Sequence, residues 1–506
     1  MIATLLAQVS STFEPPTLDF HALAPEITFA ACVALLYLVD MIKLEDGRRL
    51  MPGLSGLALL APLIPIMTLA LDGADRTLFG GAFVVDNVAL LLKAMFFLSG
   101  YVVVLLSTNH LAEGDFWESE YYLMLTSSLL GMVVMSSARD LVTIFVALEL
   151  LSIPAYLMAT WEKRSLRSNE AGLKYYLMGV FASALMLYGM SLLFGISGST
   201  LLTDIGARIA EGNSSTPIVS LAIVLVIVGF AFKVSAVPFH SWAPDTYEGA
   251  PTPVTAFLAV ASKAAGFVAL LQLAFVGFAG RTDVVEPLMW VLAAASMTVG
   301  NLIALRQTNI VRMLAYSGIA QAGFILAPFA VMSDSATESL TAVVTYLVIY
   351  AAMNLGAFVI VIAVARKTQS GEISSFGGLF GYAPGLTVAM TVFLASLAGI
   401  PPLGGWFAKF VVFKALATAG TPWGYSLAVV MAVNSVVAFY YYALVLKAMW
   451  FDEAPYGDTS PVRVPVSLIS ATGLTAGATI LFGVFPGLLG HFTGSLEGII
   501  AVLPGG

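Results

Sequence analysis

The feature that most constrains this chain is a recurrence: runs of about 20 apolar residues, separated by short polar breaks, repeat from one end to the other. A helix rises about 1.5 Å per residue, so each run matches the roughly 30 Å of bilayer hydrocarbon. The runs lack alternation and are about twice the length a tilted barrel strand needs, so they read as helices. Composition agrees. The 506 residues are 59% hydrophobic and 10% charged with mean hydropathy +0.93, against about 25% charged for soluble domains. No stretch is left over for a soluble domain.

The runs predict an all-α polytopic membrane protein with about fourteen spans, near 23–42, 50–71, 84–108, 120–137, 139–160, 171–196, 216–236, 253–277, 286–306, 308–332, 338–365, 386–419, 425–450 and 464–488. Two are broken by proline. The seventh runs into Pro238 just after Lys233, and the twelfth contains Pro401 and Pro402 followed by Leu-Gly-Gly. Breaks five spans apart suggest two five-helix repeats of opposite orientation, spans 4–8 and 9–13. The expected organisation is therefore helices 1–3 in residues 1–119, a first repeat in 120–280, a second in 281–450, and a loop with a last helix in 451–506.

An even span count puts both termini on one side, and basic residues decide which. With both termini outside, inward loops hold Lys43, Arg48, Arg49, Lys163, Arg164, Arg167, Arg306, Arg312, Arg366, Lys367, Lys447 and Arg463, whereas outward loops hold only Arg76, Arg139, Arg208 and Arg281. The expected topology has both termini on the outer side of the membrane. The N-terminal segment lacks the marks of a signal or transit peptide, so the first helix is expected to act as its own insertion signal.

Six of the 22 basic residues fall inside predicted spans: Lys93, Lys174, Lys233, Lys263, Lys409 and Lys414. A lysine at the bilayer centre costs about 2.5 kcal/mol or more, so each must face protein or water for a reason. Lys174 and Lys414 lie near span ends and read as paired or reaching the headgroups. Lys93 admits either reading. Glu149 lies about nine residues into the fifth span, beyond the reach of so short a side chain, and needs a cation or a proton. Lys233 precedes the first break, Lys263 sits mid-span beside Ser262, Ala264, Ala265 and Gly266, and Lys409 follows the second break. One acid cannot neutralise three deep lysines, so some must titrate or be hydrated. Lysine suits a relay, because burial draws its pKa from about 10.4 toward neutrality and a nearby carboxylate raises it again.

His240, in the loop with Asp245 and Glu248, has two readings: a proton collector at a channel mouth or a loop-organising histidine. The lone Cys32 excludes an internal disulfide, an iron–sulfur cluster and a Cys-type zinc site. The four histidines (His21, His110, His240, His491) show no metal-ligand spacing, and no phosphate-binding glycine loop follows a strand. Redox chemistry and nucleotide binding are therefore not expected in this chain.

The run from Phe232 to Phe267, FKVSAVPFHSWAPDTYEGAPTPVTAFLAVASKAAGF, resembles the signature of the antiporter-like proton-translocating subunits of complex I, membrane-bound hydrogenases and Mrp-type antiporters. Similar matches surround Glu149 (DLVTIFVALELLSIPAYLM), residues 306–324 (RQTNIVRMLAYSGIAQAGF) and Lys409 (SLAGIPPLGGWFAKF). Lysine at both 263 and 409 is most similar to the subunit N branch of NADH-quinone oxidoreductase. The short C-terminal segment also speaks against a long lateral helix.

The resemblance implies a proton-translocating membrane-arm subunit that moves protons from cytoplasm to periplasm, driven by quinone reduction elsewhere. It implies Glu149 and Lys233 as a modulated pair, Lys263 as central relay and Lys409 as the exit-side lysine. It implies no cofactor in this chain, with NAD, FMN, iron–sulfur clusters and quinone in partner subunits. The expected partners are other complex I membrane subunits and lipids, not nucleic acid. Some relatives carry histidine where this chain has Gln321, so the tenth span is assigned no titrating role. A subunit of an Mrp-type antiporter or membrane-bound hydrogenase is the alternative, and a scaffold with frozen ion pairs is a third reading.

Overall fold

The computed structural model describes residues 18–42, 47–73, 75–113, 118–211 and 217–489. Both chain termini, Lys43 and His491 lie outside the described residues, as do the side chains of Arg48 and Arg49. The described chain is nearly all helix: α1 (Ala24–Met41), α2 (Gly47–Leu60), α3 (Leu63–Asp72), α4 (Asn87–Glu113), α5 (Glu118–Ser137), α6 (Leu141–Ala159), α7 (Leu166–Ser197), the short α8 (Leu202–Ala210), α9 (Pro217–Lys233) and α10 (Trp242–Gly249). After these come α11 (Thr252–Gly277), α12 (Thr282–Ala304), α13 (Ile310–Leu326), α14 (Ala336–Thr368), α15 (Pro384–Ala398), α16 (Gly404–Thr418), α17 (Pro422–Phe451) and α18 (Val466–Val484). One antiparallel hairpin, β1 (Arg76–Leu78) with β2 (Phe83–Val85), links α3 to α4.

Eleven helices among the described residues are long and apolar enough to cross a membrane. The expected spans outside that set have physical reasons for falling short. Helix α5 is diluted by Thr126, Ser127, Ser128, Ser136 and Ser137. The apolar runs of α9 and of α15–α16 are interrupted at the two proline breaks, so no single helix there reaches the length of the bilayer.

Local chemistry sets the helix ends. Asp140 caps α6 by accepting from the Val142 and Thr143 amides, and Asn309 caps α13 through Val311 and Arg312, satisfying donors that a helix start leaves unpaired. Left-handed residues close α7 at Gly198, α14 at Gln369 and α15 at Gly399.

The helices form a centre and a surround. Helices α11 and α14 are buried on every side and α13 almost so, as expected for helices apolar all round. Helices α1, α7, α17 and α18 leave broad apolar faces outward, including Leu173, Phe181, Tyr188 and Val436, which suits contact with lipid or other membrane chains. Two π-helical turns, Leu258–Ser262 and Leu273–Gly277, interrupt α11 on either side of Lys263–Gln272. Such turns widen a helix and free backbone groups locally.

Candidate functional site: a buried lysine axis

Lys233 ends α9, where the chain abandons the helix through Ser235, at φ +60°, before α10 begins. Its ammonium is buried and donates to Ser152 Oγ at 2.8 Å and to the Tyr175 hydroxyl at 3.1 Å. The break is held on both sides: the Val237 amide donates to Ser296 Oγ at 2.9 Å and the Trp242 indole donates to the Phe232 carbonyl at 3.1 Å. Trp242 also stacks on Tyr175, with ring centroids 4.5 Å apart. A Cβ on Gly266 would stand 3.1 Å from Lys233 Cγ, so glycine there lets the lysine stem lie flat against α11.

Lys263 follows directly on the first π turn of α11 and is 2% exposed. Its ammonium donates to the Gly318 carbonyl of α13 at 2.9 Å. The Tyr175 hydroxyl faces Ser262, the residue preceding Lys263, which carries the polar track from the first lysine to the second.

From Gly318 the track continues along α13. Gln321, one turn on, accepts from the Tyr346 hydroxyl and donates to the Leu397 carbonyl at 3.1 Å and toward the Tyr442 hydroxyl at 3.4 Å. Tyr442 in turn meets Ser317. The next carbonyl after Leu397, that of Ala398, accepts from Lys409 at 2.9 Å, and the Lys409 ammonium also lies 4.8 Å from the centre of the Phe324 ring. Gly399, at φ +93°, makes the turn that exposes this carbonyl at the end of α15. Lys233, Lys263 and Lys409 thus share one line of buried polar groups, and among the described residues none of the three is ion-paired.

Glu149 is half-buried on α6 and accepts from Ser183 at 2.7 Å rather than from a cation. It reaches Lys233 indirectly: Ser152, one turn further along α6, is the residue Lys233 holds. The side chain of His240 is partly buried with Nδ1 lacking a hydrogen-bond partner, while Asp245 and Glu248 turn away to other cations. Asp245 binds Lys174 at 2.8 Å and Arg312 at 3.0 Å, and Glu248 binds Arg312 at 2.9 Å. Burial pushes the Asp245 carboxyl up, but Lys174 and Arg312 outweigh it and hold the group below the usual carboxylate range.

Lys174 is therefore an ion-pair residue, as its place near a span end suggested, and Lys414 is exposed. Lys93 is wholly buried against Glu26, 2.7 Å away, an acid that the sequence analysis had not paired with it. Among the described residues no three histidine, cysteine or carboxylate groups gather as a metal would require.

Sequence reasoning missed Tyr175, Ser152, Ser317, Tyr346 and Tyr442, and it set Gln321 aside because glutamine does not titrate. Glutamine links hydrogen bonds without titrating, and an amide inside an apolar run was the available signal. For the tyrosines no comparable signal exists, since their rings are common in membrane helices and only packing aims their hydroxyls.

A helical bundle that keeps three such lysines in its apolar centre, beside two interrupted helices, defines a multi-pass membrane protein built around internal charge. The family described as "NADH:quinone oxidoreductase/Mrp antiporter, TM" matches residues 138–435, which hold all of these lysines. The chain belongs to that family of antiporter-like membrane subunits.

It is 37% identical over 481 residues to "NADH-quinone oxidoreductase subunit N" of Trichlorobacter lovleyi, covering 94% of this chain and 96% of the relative. It is 39% identical over 497 residues to the protein of the same name from Geobacillus kaustophilus, covering 94% and 98%. Among solved structures, a chain of respiratory complex I from Thermus thermophilus superposes with TM-score 0.76 at 30% identity, covering 92% of this chain and 98% of that one. A chain of the Mrp complex from a Dietzia species shares the fold, with TM-score 0.84 at 20% identity and coverage of 96% and 100%.

Proposed function

We propose that this chain is a proton-translocating membrane-arm subunit of an NADH:quinone oxidoreductase. The observation that carries the reading is the buried axis of Lys233, Lys263 and Lys409, joined by hydroxyls, carbonyls and one amide. Each lysine rests on neutral acceptors, so none is fixed in its charged state by a carboxylate partner. Protons taken from the cytoplasm pass along the lysines and intervening water to the periplasm, driven by quinone reduction in neighbouring subunits. Each charge moved against the membrane potential costs about 2.3 kcal/mol per 100 mV, which quinone reduction supplies, while Glu149 modulates the hold of Lys233 on its proton.

In this reading His240 serves proton uptake near the first break. The fold comprises fourteen spans with two inverted repeats, the two interrupted helices occupying corresponding places. The membrane is a bacterial inner membrane with both termini on the periplasmic side. NAD, FMN, iron–sulfur clusters and quinone belong to partner subunits; NADH and quinone are the two that the relatives' names mention.

The test is NADH-driven proton uptake by inverted membrane vesicles from wild type and Lys263→Ala, with assembly followed on native gels. The expected outcome is an assembled complex whose quinone reduction and proton uptake both collapse. Persistence of both sinks the relay and favours a scaffold. Sodium-driven proton exchange without NADH favours the cation/proton antiporter, a reading that rests here on shared fold alone.

A further inference from the structure

Helix α14 carries a polar stripe through the centre of the protein. Tyr346, Tyr350 and Asn354 recur every four residues and so share one face. The first is occupied, its hydroxyl donating to Gln321. The Tyr350 hydroxyl has no protein partner, yet it lies 3.1 Å from the point a Cβ on Gly318 would occupy, and the Lys263 ammonium lies 3.1 Å from the same point. Asn354 is fully buried, and neither its Oδ1 nor its Nδ2 has a protein partner. An amide so deep without partners is the kind of group that internal water satisfies.

Two turns beyond Asn354, about 11 Å along the axis, the same face reaches a cavity. Between them on this face lie Ala357, Phe358 and Val361, all buried, and Val361 and Ala365 form part of the cavity wall. The cavity holds about 980 Å³ and opens at the surface beside Gln369 and Arg463. Its basic residues include Arg167, Arg366, Lys367 and Arg463, all four from the group expected on the inward side. The polar stripe therefore runs from the central lysine to Asn354 and ends about two turns short of the cavity, with only these apolar side chains between.

We propose that Asn354 is a positioning residue of a proton uptake route leading from this cavity past Val361 and Ala357 to Tyr350 and Lys263. The inference rests on the proton-pumping reading and extends it to the path by which Lys263 is reloaded. The amide holds water through one acceptor and two donors and is not itself protonated. A proton moves by successive breaking and forming of O–H bonds along that water, ending on Lys263 Nζ, with no change of oxidation state.

The route separates polarity from stability. Asn354→Leu keeps the branched shape and the number of heavy atoms, fills slightly more space and removes the amide, whereas Asn354→Ser keeps a polar group and leaves room for water. Both are compared with wild type and Lys263→Ala in inverted vesicles, measuring NADH-driven proton uptake across pH and the thermal midpoint of the assembled complex. The expected result for Asn354→Leu is a loss of uptake of about tenfold, deepest at alkaline pH where protons are scarce, with a thermal midpoint no lower than wild type. Asn354→Ser is expected to stay within about twofold of wild-type uptake.

Wild-type uptake in Asn354→Leu overturns the route, as does equal loss of uptake and thermal midpoint in both variants, which marks a purely structural residue. If Lys263→Ala collapses uptake while Asn354→Leu does not, the route falls and the pumping reading stands. If Lys263→Ala also pumps, both fall.

Discussion

At the scale of single residues, the three central lysines are held by dipoles instead of opposite charges. Lys233 rests on two hydroxyls, Lys263 on one carbonyl, and Lys409 on one carbonyl and an aromatic face. A carboxylate in contact would fix an ammonium in place, whereas a hydroxyl or carbonyl solvates the ammonium and can still accept a hydrogen bond, more weakly, from the neutral amine. Tyr175 matters most here, because its hydroxyl touches Lys233 and faces Ser262. Tyr175→Phe keeps the ring stack on Trp242 but removes one of the two acceptors, an interaction worth about 1.5–3 kcal/mol when the partner is charged. The expected consequence is a loss of NADH-driven proton uptake of roughly tenfold or more with assembly intact, read in the vesicle assay. Unchanged uptake in that variant would show that Ser152 alone suffices for Lys233.

At the scale of elements, the interrupted helices depend on what grips them. Helix α10 is too short to be stable alone and is tied by Asp245 to Lys174 of α7 and Arg312 of α13. The Asp245 carboxyl is held below its ordinary range, so its contribution is fully present above the unfolded value of about 3.9 and is lost as pH falls through the lower folded value. The expected outcome is that amide hydrogen exchange across Trp242–Gly249, corrected for intrinsic rate, accelerates below about pH 4 in wild type. Asp245→Asn should exchange faster at neutral pH and lose that acid step. The proline breaks were legible because proline ends a helix wherever it falls. The grip on α10 was not, since Lys174 and Arg312 lie 71 and 67 residues from Asp245.

At the scale of the whole molecule, a buried ion pair joins α1 to the body. Lys93 of α4 is 0% exposed against Glu26 of α1 at 11%. Removing one partner leaves a lone charge inside, so Lys93→Ala or Glu26→Ala should each destabilise by about 3–5 kcal/mol. The double change Glu26→Gln with Lys93→Met should recover most of that loss, read as the thermal midpoint of the solubilised complex. Equal destabilisation in single and double variants would mean that packing rather than charge holds α1.

What the sequence determined alone is what depends on composition and spacing along the chain: the helical membrane class, the two proline breaks and the deep charges Glu149, Lys233, Lys263 and Lys409. These are legible because hydrocarbon forbids unpaired backbone and penalises charge wherever it occurs in the run. Only the tertiary structure decided which neutral groups receive those charges. Ser152, Tyr175 and Gln321 are ordinary polar residues until helices distant in sequence turn them toward one line. That alignment follows from packing around α11, α13 and α14, a property of the assembled bundle that no single segment encodes.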